Sequence, residues 1–457
     1  MNQEKQKFSV VSLGCARNLV DSEVMSGLLE QHHYEMVQEP ADADVVLINT
    51  CGFIDAAKAE SIDTIMEVSR LKQVGKLRKL VVAGCLSQRY PQELAAELPE
   101  VDLFIGTGEV PRIIDILQEH ELNQSRRHYI GVPEYLYDHV TPRLRSTPAY
   151  TAFLKVSEGC DHKCAFCIIP KLRGPHRSRS IESVFKEATL LAQGGVKEIN
   201  LIAQDLTAYG RDRKDGTTLY GLLKKLVEVP DLVWIRLLYA YPNFLEAPLL
   251  ELINDSDKIC KYIDIPFQHV SARILKDMRR GKSGSAVHTA VEKLRESISD
   301  LTLRTSLIVG FPGETEEDFQ ALLDFVEETR FERLGAFKYS IEEGTAAASL
   351  ADHVEEDEKE RRWQEVMDLQ AIISRAKNEA LIGSIQRVMI DGVDDTGQLI
   401  GRTQGHAPEV DGAVYLQNAV TSAPIALRSG DFANVRITQA LEYDLIGEIQ
   451  NVQIGNP

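Results

Sequence analysis

Residues 158–170 read EGCDHKCAFCIIP and place Cys160, Cys164 and Cys167 within eight positions of a chain that has seven cysteines in all. One short loop must converge three thiols, and the rest of the chain has to hold that loop still. A structural zinc site is closed by four ligands, so the loop is one short, with His162 and His176 as the nearby candidates. Zinc more often takes paired C-x-x-C hairpins. A four-iron cluster held by three thiolates keeps one iron open, which suits chemistry on a bound molecule better than plain electron carriage. These residues favour iron–sulfur and leave zinc as the alternative.

Disulfides fit less well. The opening MNQEKQKFSVVSLGC is polar and charged before a short apolar run, unlike a signal peptide. No apolar stretch approaches the roughly 18 residues that cross a bilayer. The expectation is a cytoplasmic chain with reduced thiols and no membrane, where clustered cysteines act as ligands. The odd count agrees.

The spacing of apolar runs predicts an α/β protein in three parts. Residues 6–125 hold three β-branched runs, FSVVSLGC, DVVLINTCGF and KLVVAGCLS, separated by stretches with helical periodicity. That alternation predicts a parallel sheet of βαβ units. The three runs end in Cys15, Cys51 and Cys85, about one βαβ repeat apart, each beside a glycine (Gly14, Gly52, Gly84). Carboxyl ends of parallel strands share one edge, where ligands bind, so these three thiols should also meet. Residues 126–148, rich in Pro, Arg and Tyr, read as a linker packed on a neighbour. Residues 149–376 alternate six strand-like runs with amphipathic helices, the pattern of a complete or partial (βα)6 barrel of the TIM type. The cysteine loop follows its first strand, on the C-terminal face that carries active sites. Residues 378–446 turn to short alternating strands broken by Gly and Asp, predicting a small antiparallel β-barrel.

Charge narrows the partners. The chain carries −18 at neutral pH, whereas nucleic-acid binding calls for a basic face; direct nucleic-acid binding is not expected. From Asn378 onward there are four arginines (Arg387, Arg402, Arg428, Arg436) against ten acidic residues, a surface suited to a basic protein.

C-x-x-x-C-x-x-C after the first strand of a βα barrel resembles the radical S-adenosylmethionine superfamily. With the triad Cys15, Cys51 and Cys85 and the terminal β-barrel, GCDHKCAFCIIPKLRGPHRSRS resembles the methylthiotransferases, which have an N-terminal cluster domain, a radical barrel and a TRAM domain. SLGCARNLVDSE, NTCGFIDAAKAES and YIDIPFQHVS look like the RimO branch, which modifies a ribosomal protein. The tRNA-modifying branch reads closer to GCQMN, NTCSVRE and PVQSGS, and so carries a small residue where this chain has His269.

The resemblance implies two 4Fe–4S clusters, one on Cys160, Cys164 and Cys167 that binds and cleaves S-adenosyl-L-methionine, one on Cys15, Cys51 and Cys85 that presents sulfur. It implies that the substrate is small-subunit ribosomal protein twelve, modified at the β-carbon of an aspartate, with a second S-adenosylmethionine as methyl donor. An electron donor such as flavodoxin or ferredoxin is implied as a partner. Gln204 and Asp205 at the end of the second barrel strand, Arg236 in the third, and Gly310 and Gly313 after the fifth are the candidate cofactor contacts. An ordinary loop with Thr315 capping the next helix is the competing reading of the two glycines. Cys260 reads as a small core residue. No Ser/His/Asp set or carboxylate pair marks a catalytic residue. Two further readings stay open: a tRNA adenosine methylthiotransferase, and a non-catalytic iron–sulfur carrier.

Overall fold

The computed structural model describes residues 5–453 except 76, 243–244, 282–283 and 418–426; the last stretch, part of the predicted terminal barrel, lies outside the described residues. The first sheet is parallel and six-stranded. Its strands are β1 (Gln6–Ser12), β2 (Tyr34–Met36), β3 (Val45–Thr50), β4 (Lys79–Gly84), β5 (Leu103–Ile105) and β6 (His128–Tyr129), ordered β2-β1-β3-β4-β5-β6. The three runs legible in the sequence are β1, β3 and β4, adjacent at the centre. β3 is buried along its whole length, as expected of a parallel strand covered on both faces. The three short strands widen the sheet, and β6 falls inside the segment read as a linker.

A second parallel sheet follows, with β7 (Thr151–Lys155) at one edge. A two-strand ribbon, β8 (Ser157–Glu158) with β9 (Arg177–Ser178), brackets the cysteine loop. The sheet continues through β10 (Glu198–Ile202), β11 (Trp234–Leu237), β12 (Ile259–Asp264), β13 (Thr302–Val309) and β14 (Arg333–Lys338). Its order is β14-β13-β12-β11-β10-β7, so it curves as a barrel but does not close. Outward residues such as Leu154, Leu201, Leu237, Ile263 and Leu307 form one core with the surrounding helices.

The open side is filled from elsewhere in the chain. Helix α1 (Ala16–Gln31) buries Asn18, Asp21, Ser22, Glu23 and Ser26 alongside Val20 and Val24, because it lies between the first sheet and the barrel. Its apolar side shares a core with Phe153, Ile202, Leu238 and Tyr262. The segment after β6 crosses α1 at Gly27, where a Cβ would sit 2.6 Å from the Arg143 nitrogen, and Arg143 reaches Glu23 at 2.6 Å and Glu187 at 2.9 Å.

The third domain is a closed barrel of β15 (Ile385–Val393), β16 (Leu399–Thr403), β17 (Val414–Gln417), β18 (Phe432–Ala440) and β19 (Leu445–Gln453), ordered β15-β16-β17-β19-β18. Four neighbour pairs are antiparallel, whereas β17 and β19 run parallel. It packs on the N-terminal ends of the larger barrel's strands through Trp234 on Phe432, Glu198 with Arg402, and Tyr262 with Asp411.

Candidate active site

The first triad forms at one sheet edge. Cys15 follows β1 as the residue capping α1, Cys51 follows β3 directly, and Cys85 follows β4 and opens a short helix, Cys85–Arg89. Since β1, β3 and β4 are neighbours, three thiols 34 to 36 residues apart in sequence arrive together. Gly14 makes this possible: at φ +86° a side chain would be strained, and its Cβ would lie 2.8 Å from that of Cys51. Burial pushes the Cys51 thiol up to about 11, and the neighbouring thiols add to it. Burial pushes Cys85 up as well. Cys15 is half-buried; desolvation opposes its ionisation, but the guanidiniums of Arg17 and Arg173 outweigh that and hold it below the ordinary thiol range.

The second triad lies beyond β7. Gly159 at φ +81° sits against the chain at Pro175, where a Cβ would be 2.0 Å from the carbonyl oxygen. The Cys160 amide donates to the Gly174 carbonyl at 3.1 Å, and the Cys167 amide donates to the Cys164 carbonyl at 3.1 Å, so the loop winds back on itself. Burial holds Cys160 at about 11 and Cys167 at about 12. Thiols this weakly acidic stay protonated until a metal displaces the proton.

Two arginines face thiols with no carboxylate in an ion pair with them among the described residues. Arg280 donates to the Cys164 sulfur at 3.7 Å and lies 4.4 Å over the Tyr241 ring. Arg17, two residues from Cys15, carries the charge that lowers the Cys15 thiol, and lies 4.3 Å over the Tyr239 ring. Both rings belong to one three-residue stretch after β11. Tyr239 adopts φ +64°, a conformation costly for an aromatic residue, and its amide donates to Asp264 at 3.2 Å.

A buried polar network joins the triads. Arg173, at the end of the helix Ile169–Arg173, donates to the Cys85 sulfur at 3.5 Å and to Asp21 at 2.5 Å, and bonds Asn18. Lys155 donates to Asp21 at 2.5 Å and to Glu158 at 2.7 Å. Glu158 is driven down to about 2: burial opposes ionisation, but Lys155 and Arg173 overcome it.

The other sequence candidates separate. Gln204 bonds Glu158 through its amide nitrogen, and its Oε1 is buried without a partner, so it stays near the second triad with one acceptor open. Asp205 accepts from His162 at 2.6 Å and caps its own turn through Ala208 and Thr207. Gly310 and Gly313 occupy left-handed positions at φ +71° and +79°. The Gly310 amide donates to Glu314, and Thr315 and Asp318 form a capping box on the next helix, as the competing reading of that loop expects.

Arg236 lies elsewhere. It is fully buried at the foot of the barrel, bonded to Glu198 at 3.0 Å and to the Gln404 carbonyl of the third domain at 2.6 Å. Its surroundings make it a brace between domains, not a group beside the thiols. His269 is fully buried too, with its ring nitrogen accepting from the amides of Val270 and Ser271. Cys260 is buried in the apolar core, as its sequence context indicated.

The zinc alternative loses its fourth ligand. His162 is bonded to Asp205 and stacked on Tyr241 at 4.0 Å, and His176 is bonded to Ser178 at 3.0 Å. Among the described residues, no three His, Cys, Asp or Glu side chains converge as tightly as a single ion needs. Each triad instead offers three soft donors with at least one arginine beside them, a set that suits an anionic iron–sulfur cluster. Arg17, Arg173, Tyr239 and Tyr241 were not singled out from the sequence. The only signal was the density of bases in KLRGPHRSRS after the cysteine loop.

Comparison with known proteins follows the same three-part division. Residues 7–106 match the model of the uncharacterized protein family UPF0004, residues 154–326 that of the radical SAM superfamily, and residues 382–449 that of the TRAM domain. The chain is 50% identical over 449 residues to the ribosomal protein uS12 methylthiotransferase RimO of Pelobacter propionicus, covering 98% of each. It is 49% identical over 451 residues to the protein of that name from Geobacter sulfurreducens, covering 98% of this chain and 100% of that one. Among solved structures, the radical S-adenosylmethionine methyltransferase TsrM of Kitasatospora setae, bound to cobalamin and a [4Fe-4S] cluster, matches with a TM-score of 0.54 at 15% identity. That match covers 73% of this chain and 75% of TsrM, and at such identity it bears on the fold alone.

Proposed function

The chain belongs to the RimO family of ribosomal protein uS12 methylthiotransferases, and from that membership and the paired triads we infer how its residues divide the work. It is a transferase of the radical S-adenosylmethionine superfamily that methylthiolates uS12, with 4Fe–4S clusters and S-adenosylmethionine as cofactors. The observation that carries the residue assignment is the joining of two three-thiol sets by one buried network, with Arg173 touching Cys85 at one end and Glu158, two residues before Cys160, at the other.

We assign Cys160, Cys164 and Cys167 to the cluster that engages S-adenosylmethionine, and Cys15, Cys51 and Cys85 to the one that presents sulfur. When bound, these groups supply what no side chain can, the activation of an unactivated C–H bond and the sulfur and methyl to replace its hydrogen. The protein's own residues hold and shield. Arg280 and Tyr241 cover Cys164; Arg17 and Tyr239 cover Cys15; α1 fills the open side of the barrel between the two triads. Gln204, with its unpartnered carbonyl, is the residue we place against S-adenosylmethionine, and Gly310 and Gly313 bring backbone close to it. Asp205 acts one step back, holding His162.

The target atom is the β-carbon of an aspartate in uS12, and the reductant is a small electron carrier such as a flavodoxin or ferredoxin. No helix among the described residues is long and apolar enough to cross a membrane, in keeping with work on ribosomal protein in the cytoplasm. The test is anaerobic incubation of the reconstituted chain with uS12, S-adenosylmethionine and a reductant, read by intact mass and by 5′-deoxyadenosine. A gain equal to one methylthio group for hydrogen supports the assignment. Deoxyadenosine formed with modified tRNA and unmodified uS12 transfers the chain to the tRNA branch. No deoxyadenosine at all leaves only a carrier.

A further inference from the structure

We propose that Arg17 binds the carboxylate of the uS12 side chain that is modified, and so makes the enzyme selective for an acidic target residue. The inference rests on the assignment of uS12 as substrate and adds the group that recognises it.

The argument starts from partners. Three arginines around the site face carboxylates: Arg173 has Asp21 and Glu158, Arg143 has Glu23 and Glu187, and Arg304 has Asp264 at 3.0 Å. Arg280 has none among the described residues, but it donates to the Cys164 sulfur and the Pro266 carbonyl. Arg17 has none among the described residues. Its contacts are the Ala203 carbonyl at 2.7 Å and the face of Tyr239. A guanidinium has five N–H donors in a planar fork, and the bond to Ala203 leaves donors for a further partner. Arg17 is half-buried, so its side chain remains reachable.

Location makes the open fork informative. Arg17 is two residues from Cys15 of the first triad, and it bonds the carbonyl immediately before Gln204, at the C-terminal face of the barrel beyond β10. Arg17 thus stands where the two halves of the site meet, and any side chain modified there must come within reach of it. A guanidinium with no carboxylate paired to it attracts one strongly. The anions that a ribosomal protein offers are the carboxylates of Asp and Glu. Tyr239 beneath the guanidinium fixes its plane, and the left-handed backbone at Tyr239 holds that ring in place. Backbone strain at such a position is kept only where the surroundings enforce it.

The competing account is that Arg17 serves the sulfur of Cys15 alone. Binding to the metal-free full chain separates the two, because no cluster is present to respond. The modified residue of uS12 is first located by mass spectrometry and changed to its amide. Affinities of parent and amide uS12 are then measured for the unsubstituted chain, Arg17→Met and Arg17→Lys. Removing Arg17 orphans no carboxylate, and the lysine variant keeps the charge should the methionine variant fold poorly. The expected result is about tenfold weaker binding of parent uS12 by Arg17→Met, with less than about twofold change for the amide form, and partial recovery in Arg17→Lys. Equal weakening for both forms, or none for either, overturns the proposal. So does modification of a side chain without a carboxylate, whereas uS12 that gains no mass with the unsubstituted enzyme overturns the assigned substrate itself.

Discussion

The guanidinium of Arg173 lies 3.5 Å from the sulfur of Cys85, only six residues after Cys167. One side chain therefore spans from the loop that carries the second triad to a thiol of the first. Its other bonds, to Asp21 on α1 and to Glu158, close the same network.

Substituting Arg173 with Met leaves Asp21 and Glu158 to share Lys155 alone. Removing one partner from a buried ionic network costs about 3–5 kcal/mol, so the variant should unfold at clearly lower denaturant than the parent, with Arg173→Lys between them. Equal midpoints for Arg173→Met and the parent would show that the network is not holding the domains.

The triads should fail separately. Changing Cys160, Cys164 or Cys167 to Ala is expected to abolish 5′-deoxyadenosine formation. Changing Cys15, Cys51 and Cys85 together should spare that cleavage, stop sulfur insertion and lower iron by about half, each cubane having four irons. Full iron and methylthiolated product from the N-terminal triple variant would reduce those cysteines to core residues.

Gly159→Ala tests how the second triad is held. A methyl group there meets the Pro175 carbonyl at 2.0 Å with the backbone at φ +81°, a combination that costs on the order of 2 kcal/mol or more. Because Cys160 is the next residue, iron per chain should fall by about half while the first triad keeps its share.

Stability should depend on pH through Glu198. Burial opposes its ionisation, but Arg402 and Arg236 bring its carboxyl down to about 2 from an ordinary 4.5. A carboxyl depressed on folding contributes stability that is full above about 4.5 and disappears as pH falls toward 2. The contribution is on the order of 3 kcal/mol. Denaturation of the parent and Glu198→Gln should therefore differ most near neutrality and converge between pH 5 and 2. A gap that stays constant over that range removes Glu198 from the account.

The third domain should bind charge of the opposite sign. With four arginines against ten acidic residues from Asn378 onward, affinity of the full chain for basic uS12 is expected to fall as salt rises. Tight binding of tRNA by the segment from 378 onward, or salt-independent binding of uS12, contradicts this.

Much of this was legible in the chain. β3 and β4 are continuous buried apolar runs, and a run that ends in cysteine places that cysteine at the sheet edge whatever the details. The short strands β2, β5 and β6 were not legible, since two or three residues have no period and take their form from the neighbour they pair with. Arg236 shows a second limit. Alternation along β11 puts it on the inner face, but its height on the strand and the cover from Gln404 and Arg402 depend on residues about 170 positions away. Tyr239 shows a third: LLYAYP reads as strand, and only tertiary contacts turn it left-handed. Arg17 is one cation among 51 lysines and arginines, and what sets it apart is its place between a first-triad thiol and the Ala203 carbonyl at the barrel face, with no carboxylate in an ion pair with it among the described residues.

The tyrosines after β11 also bear on which changes the lineage can tolerate. Tyr239 and Tyr241 each carry an arginine that faces a different triad, with only Ala240 between them, so covalent geometry sets their spacing: two residues reach at most about 7 Å. Point substitutions can drift around them, adjusting a ring or a packing neighbour. An inserted or deleted residue in this stretch cannot be absorbed, because it would shift one ring relative to the other and put the two halves out of step. Relatives with the same paired chemistry should accordingly vary freely in loop length elsewhere and keep a fixed count here.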